Sequence, residues 1–230
     1  MFDDTFTSGG IRYKITIYPA TAIGKTHAMI LVLHGNVGLN PPFGSQIQSC
    51  AKSFAELGYV VAVPQYYHDD VPHLDDGNPL PHVATLTDAI AKVAASSNAD
   101  PGRLGLVGYS LGAATAMTYV ASNAAGTAKV LVDFFGPIEG NPIIAAGLAQ
   151  FPPTIMLHNR KDEVVGSLSN SVALDRLLPS AVEHRLYLYD GGMPECGFHP
   201  FVANDPDDVD SRQRATEWVL RHLPPIAGVA

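Results

Sequence analysis

At 230 residues, 47% hydrophobic and 16% charged, the chain is long enough to bury a large core as one domain spanning residues 1–230. A net charge of −8 without any cluster of Lys and Arg disfavours a polyphosphate-binding surface, so no nucleic-acid partner is expected. The opening MFDDTFTSGG has neither a basic nor an apolar leader region, and runs such as AMILVL are too short to span a bilayer; a soluble, cytoplasmic protein with no membrane partner is expected.

In chain order, IRYKITIYPA (11–20) alternates like an exposed antiparallel strand, whereas HAMILVLHG (27–35) is continuously apolar, as a central strand covered on both faces must be. The sheet is expected to begin at this second run. QIQSCAKSFAELGYVVAVPQYY then reads as a helix ended by Gly58 and a buried strand from Tyr59 to about Gln65. Residues 66–82, YYHDDVPHLDDGNPLPH, form a long polar loop; its His and Asp residues meet no metal spacing, and a pocket rim explains it better than a metal site. Helix is expected over 82–97, strand over 103–109, helix over 111–123, and strands over 128–135 and 153–159. Helix 167–177, strand 184–190 and a last helix over 209–222 complete an α/β pattern, a mostly parallel sheet with helices on both faces. Cys50 and Cys196 are far apart and in no ligand spacing, so reduced thiols are expected rather than a disulfide or zinc site.

One turn carries chemistry. Gly108-Tyr109-Ser110-Leu111-Gly112, between the strand at 103–109 and the helix at 111–123, is G-x-S-x-G, the strained strand-to-helix turn that lifts a serine Oγ above a sheet. A serine hydroxyl is a weak nucleophile and needs a base, which needs an acid to orient it; in such folds the order is Ser, then Asp or Glu, then His. Asp162 follows the strand at 153–159 and fits the acid, with Glu163 its neighbour and Asp133 the alternative, read as a buried structural carboxylate. Of the histidines beyond Asp162, His184 opens a strand and His222 sits near the end of the last helix, which leaves His199 in the Gly-rich loop DGGMPECGFHPF as the base. An oxyanion needs two backbone donors. One is Leu111 N–H; the other is Asn36 or Val37 in HGNVGLNPP, with Val37 favoured and His34 shaping the loop. Tyr66, Tyr67, Phe135 and Phe198 are candidate walls of a substrate pocket, and each also reads as core packing.

With ILVLHGNVGLN, GYVVAVPQYY, RLGLVGYSLGAATA, HNRKDEVV and GFHPF in this order, the chain resembles the dienelactone hydrolase family of α/β-hydrolases over nearly its whole length. The resemblance implies a compact sheet without a large cap domain, a nucleophile at 110, an acid at 162, a base at 199 and hydrolysis of esters or lactones. The family's namesake carries a cysteine nucleophile and a glutamate in its first oxyanion-region motif; here Ser110 and His34-Gly35 stand instead, which points to a serine esterase branch. A small-molecule ester or lactone is the expected partner, without cofactor or metal. A thioesterase, peptidase or acyltransferase would use the same triad, and a non-catalytic ligand-binding protein could keep it.

Overall fold

The computed structural model describes residues 1–20, 26–41, 43–66 and 80–226. Tyr67 and the rest of the loop at 67–79 lie outside the described residues. The first two strands, β1 (Phe2–Ser8) and β2 (Ile11–Tyr18), form an antiparallel hairpin. Its two-residue turn is Gly9-Gly10, both at positive φ, the conformation such turns require. β3 (His27–Leu33), β4 (Val60–Gln65), β5 (Ala99–Tyr109), β6 (Val130–Phe134), β7 (Thr154–Asn159) and β8 (His184–Tyr189) follow, and the sheet runs in the order β1-β2-β4-β3-β5-β6-β7-β8. All pairings from β4 onward along that order are parallel, and β2 joins β4 antiparallel.

The unbroken apolar run of β3 is explained by its position. Met29, Leu31 and Leu33 point into one core, shared with α2 (Leu80–Ser96) and α3 (Leu111–Ser122), while Ala28, Ile30 and Val32 point into the other, shared with α1 (Phe43–Glu56) and α6 (Pro206–His222). Each of these buried Met, Leu, Ile and Val side chains contributes about 1.5–3 kcal/mol relative to exposure. α1 ends as its sequence predicts: Gly58 takes φ 98°, its N–H bonds Ala55 O and the N–H of Tyr59 bonds Phe54 O, the paired closure that glycine permits.

Several expectations need correction. The sheet begins at Phe2 rather than at β3, because the short acidic strand β1 finds its partner through the Gly9-Gly10 turn. The strand read at 11–20 is antiparallel as expected; β2 is paired on both sides, and Tyr13, Ile15 and Ile17 on its inner face are buried. The helix expected over 167–177 shrinks to α5 (Ser171–Leu177). The residues before it are held as a loop, since Asn170 Oδ1 accepts the N–H groups of Ile138 and Glu139 and its amide donates to Gly166 O. A short helix, α4 (Pro142–Ala146), was not foreseen; Asn141 caps it by accepting from Ile143 and Ile144 N–H. α6 starts earlier than the 209 read from the sequence, at Pro206, where Asp205 accepts the Asp208 N–H at 2.8 Å and proline takes the first helical position. Among the described residues, no helix is long and apolar enough to cross a membrane.

Candidate active site

Ser110 sits between β5 and α3 at φ 54° and ψ −123°, a backbone conformation costly for any residue with a side chain. The surroundings impose it. Its N–H donates to Phe134 O at 2.9 Å and its C=O accepts from Ala113 N–H at 2.9 Å. A Cβ on Gly108 would stand 2.4 Å from Ala113 Cα, and one on Gly112 would stand 2.4 Å from Leu33 O, so both elbow glycines are needed for helix and strand to approach.

Ser110 Oγ lies 2.8 Å from His199 Nε2, and His199 Nδ1 lies 2.6 Å from Asp162 Oδ2. A carboxylate only accepts, so the Nδ1 nitrogen carries the proton and Nε2 is left to accept from the serine hydroxyl. The histidine loop is fixed by its own backbone. Gly197 and Phe198 both take positive φ, Met193 O accepts from Cys196 and Phe198 N–H, and Gly197 O accepts the Glu163 N–H at 2.9 Å, which ties the base loop to the acid loop.

Asp162 is the most heavily bonded side chain of the site. Its Oδ1 accepts the N–H groups of Val164 and Val165 at 2.8 and 2.7 Å, while Oδ2 accepts from His199 and also from His158 Nε2 at 3.0 Å. Burial alone would raise this carboxyl, but hydrogen bonds from His158, His199 and Val165 outweigh it and hold it at about 2. His158, fully buried at the end of β7, was missed by the sequence reading. Its Nε2 also faces Val165 O at 2.7 Å and its Nδ1 faces Ser171 Oγ at 2.5 Å. The available signal was a lone polar ring ending an apolar strand four residues before the acid.

A cavity of about 310 Å³ opens beside Ser110 and His199. Phe135 walls it, at φ 48° with its ring centroid 4.7 Å from that of His199. Asn36 and Val37 also line it. Among the described residues, the N–H groups of Asn36, Val37 and Leu111 make no hydrogen bond within the protein, so all three remain available as donors.

The remaining candidates fall elsewhere. Tyr66 is fully buried; it stacks on His34 at 4.3 Å and its hydroxyl donates to His34 O, so it braces the loop rather than walling the cavity. Burial lowers His34 to about 4, against the pull of its contact with Gly35 O, and keeps its ring neutral. Phe198 does not line the cavity; Lys161 Nζ lies 5.9 Å from its ring centroid. Tyr67 is outside the described residues. Asp133 bonds Gly136 N–H at 2.7 Å rather than either imidazole, and the Nε2 atoms of His184 and His222 lie 3.7 and 3.9 Å from Asp175 and Glu183 instead. Cys50 and Cys196 are free thiols. Phe43, Gln46 and Ile47 on α1 also wall the cavity, and nothing in their spacing announced it.

Solved structures share this architecture at low identity. A protein of Klebsiella pneumoniae named as a candidate dienelactone hydrolase is 16% identical, with a TM-score of 0.73 and coverage of 94% of this chain and 97% of that one. Thermogutta terrifontis esterase 2 phosphonylated by cyclosarin is 14% identical, with a TM-score of 0.76 over 97% and 96%. The acylaminoacyl peptidase of Pyrococcus horikoshii is 14% identical, with a TM-score of 0.75, matching 96% of this chain but 41% of its own. A search of curated protein sequences gives no match. The sheet order and these likenesses make the fold that of the α/β-hydrolases, with no large cap among the described residues. The model of the dienelactone hydrolase family matches residues 14–223, and the chain belongs to that family of hydrolases.

Proposed function

We propose that the protein hydrolyses carboxylic esters or lactones through an acyl-enzyme on Ser110. The observation that carries this reading is the hydrogen-bonded line Ser110–His199–Asp162 beside an apolar cavity. Ser110 Oγ attacks the substrate carbonyl as His199 Nε2 takes its proton, and Asp162 stabilises the imidazolium that forms. The carbonyl oxygen, now an anion, is met by Leu111 N–H and by the N–H of Val37 or Asn36, each such donor worth about 3–4 kcal/mol in the transition state. His199 then returns the proton to the departing alcohol. Water, activated by the same nitrogen, attacks the acyl-enzyme, releasing the acid and restoring Ser110. In this reading residues 1–230 act as one domain on a small-molecule substrate, and every step is assigned to the chain's own groups.

The structurally similar Thermogutta terrifontis enzyme is an esterase that cyclosarin phosphonylates, which suggests the probe. A fluorophosphonate is expected to label Ser110 stoichiometrically, and a panel of esters and lactones to be turned over repeatedly, with both lost in Ser110→Ala. Labelling unchanged in Ser110→Ala overturns the mechanism. Stoichiometric labelling without turnover on any ester, thioester or peptide favours a ligand-binding role instead.

A further inference from the structure

The cavity at Ser110 has walls from Val37, Phe43, Ile47 and Val164, and no Lys or Arg among its described lining residues. A second cavity of about 240 Å³ adjoins the first and shares Gln46, Tyr109 and Phe135 with it. Its character is different. Ser49 and Asn204 contribute polar groups, and its one cation, Arg212, is paired with Asp208 at 2.9 Å. Asp208 Oδ2 also accepts the Asn204 N–H at 2.7 Å, so the charges of this cavity are matched internally.

Gln46 stands at the junction. Its Nε2 is buried and without a partner among the described residues, although a buried amide left unpaired is costly. An acceptor on a bound molecule would satisfy it. The loop that carries His199 continues through Phe201, Ala203 and Asn204 into the wall of this second cavity. His199, which protonates the leaving oxygen, lines the first cavity, and the loop leading from it walls the second; an alcohol part laid along that loop leaves the acyl part against the apolar walls.

We propose that the two cavities together bind an uncharged ester with an apolar acyl group and a hydroxyl-bearing alcohol, the hydroxyl accepting from Gln46. The proposal rests on the ester-hydrolase reading above. The charge balance disfavours a carboxylated substrate for a physical reason: a carboxylate entering either cavity gives up hydration and meets no unpaired Lys or Arg among the described lining residues.

The test compares 2,3-dihydroxypropyl butyrate with propyl butyrate and with the anionic monopropyl succinate. The wild type is expected to prefer the dihydroxypropyl ester by about tenfold in kcat/KM, chiefly through KM, the worth of one well-made neutral hydrogen bond. Gln46→Leu is expected to bring that ratio close to one. Ser49→Ala, on the exposed side of α1, provides a second variant should Gln46→Leu not fold, and is expected to lower the ratio at least twofold. A wild-type ratio near one, a ratio unmoved by either variant, or faster hydrolysis of the succinate than of propyl butyrate overturns the proposal. If fluorophosphonate still labels Ser110 in any of these cases, the esterase reading stands and only this inference falls. Absence of both labelling and turnover removes the two together.

Discussion

Replacing Asp133 by asparagine is expected to raise stability above neutral pH while leaving it nearly unchanged near pH 4. The carboxyl is fully buried in β6; Oδ1 accepts Gly136 N–H, and Oδ2 has no partner among the described residues. Burial raises its pKa to about 7 from the ordinary 3.8, against the opposing influence of nearby His158 and the Gly136 N–H. Between those values the unfolded chain has released this proton and the folded chain retains it, so stability falls as pH rises, and the loss is complete above about 7. At about 1.4 kcal/mol for each pH unit, the total is on the order of 4 kcal/mol. Asparagine keeps an oxygen for Gly136 and cannot ionise. Urea unfolding followed by circular dichroism from pH 4 to 8 is therefore expected to give curves of stability against pH that diverge up to about pH 7 and keep their separation beyond it. Curves that run parallel between pH 4 and 7 would refute the reasoning. Ester hydrolysis by the variant at pH 8 is expected to stay within a few-fold of wild type, because His199 bonds Asp162 and not Asp133.

Asp162→Asn is expected to lower kcat by about three to four orders of magnitude in a folded protein, since the imidazole loses the partner that sets its tautomer; stopped-flow burst analysis with an activated ester separates this from a binding defect. The same carboxylate, held at about 2, contributes stability above its unfolded value of 3.8 that disappears as pH falls toward 2, roughly 2 kcal/mol in all and measurable as acid unfolding absent from the variant. His158→Phe leaves Val165 O and Ser171 Oγ without their partner, so urea unfolding is expected to show a loss of about 2–4 kcal/mol, and kcat to fall about tenfold as Asp162 loosens. Gly112→Ala places a Cβ against Leu33 O, and its fluorophosphonate labelling is expected to be negligible; labelling at the wild-type rate would mean that the elbow tolerates bulk.

Much of this molecule was legible because its signals are local or ordinal. The continuous apolarity of β3, the Gly58 stop after α1 and the glycines around Ser110 each reflect a constraint within a few residues, and the Ser, Asp, His order follows from which strand ends face the same edge. What was not legible depends on contacts between distant segments. β1 is recognisable as a strand only once β2 pairs with it. Tyr66 reads as a pocket aromatic equally well as a brace, and only its stacking on His34 decides. Gln46 carries no sequence mark at all; its place between two cavities follows from how α1 lies against the loop of His199. Asp205-Pro206 is the exception, a capping signal present in the sequence that the reading of the last helix passed over.

The contrast between Asp133 and Asp162 explains why a single acid suffices and why Asp162 fits that role. Both are buried, yet Asp162 receives two backbone N–H groups and two imidazoles, while Asp133 receives one N–H. Burial raises Asp133 to about 7 with too few donors to oppose it, whereas the donors around Asp162 outweigh its burial and hold it at about 2. An acid that orients a base must remain an anion while the imidazolium forms, which only the first environment permits. The second carboxyl keeps its proton at acidic pH and there does not compete with Asp162 for His158. Its cost in stability at alkaline pH is then offset by the turn it holds, because the same Gly136 contact fixes the residue before it, Phe135, at positive φ with its ring against His199. Asparagine at 133 keeps that contact without the titration, which is why stability and turnover are expected to separate in that variant.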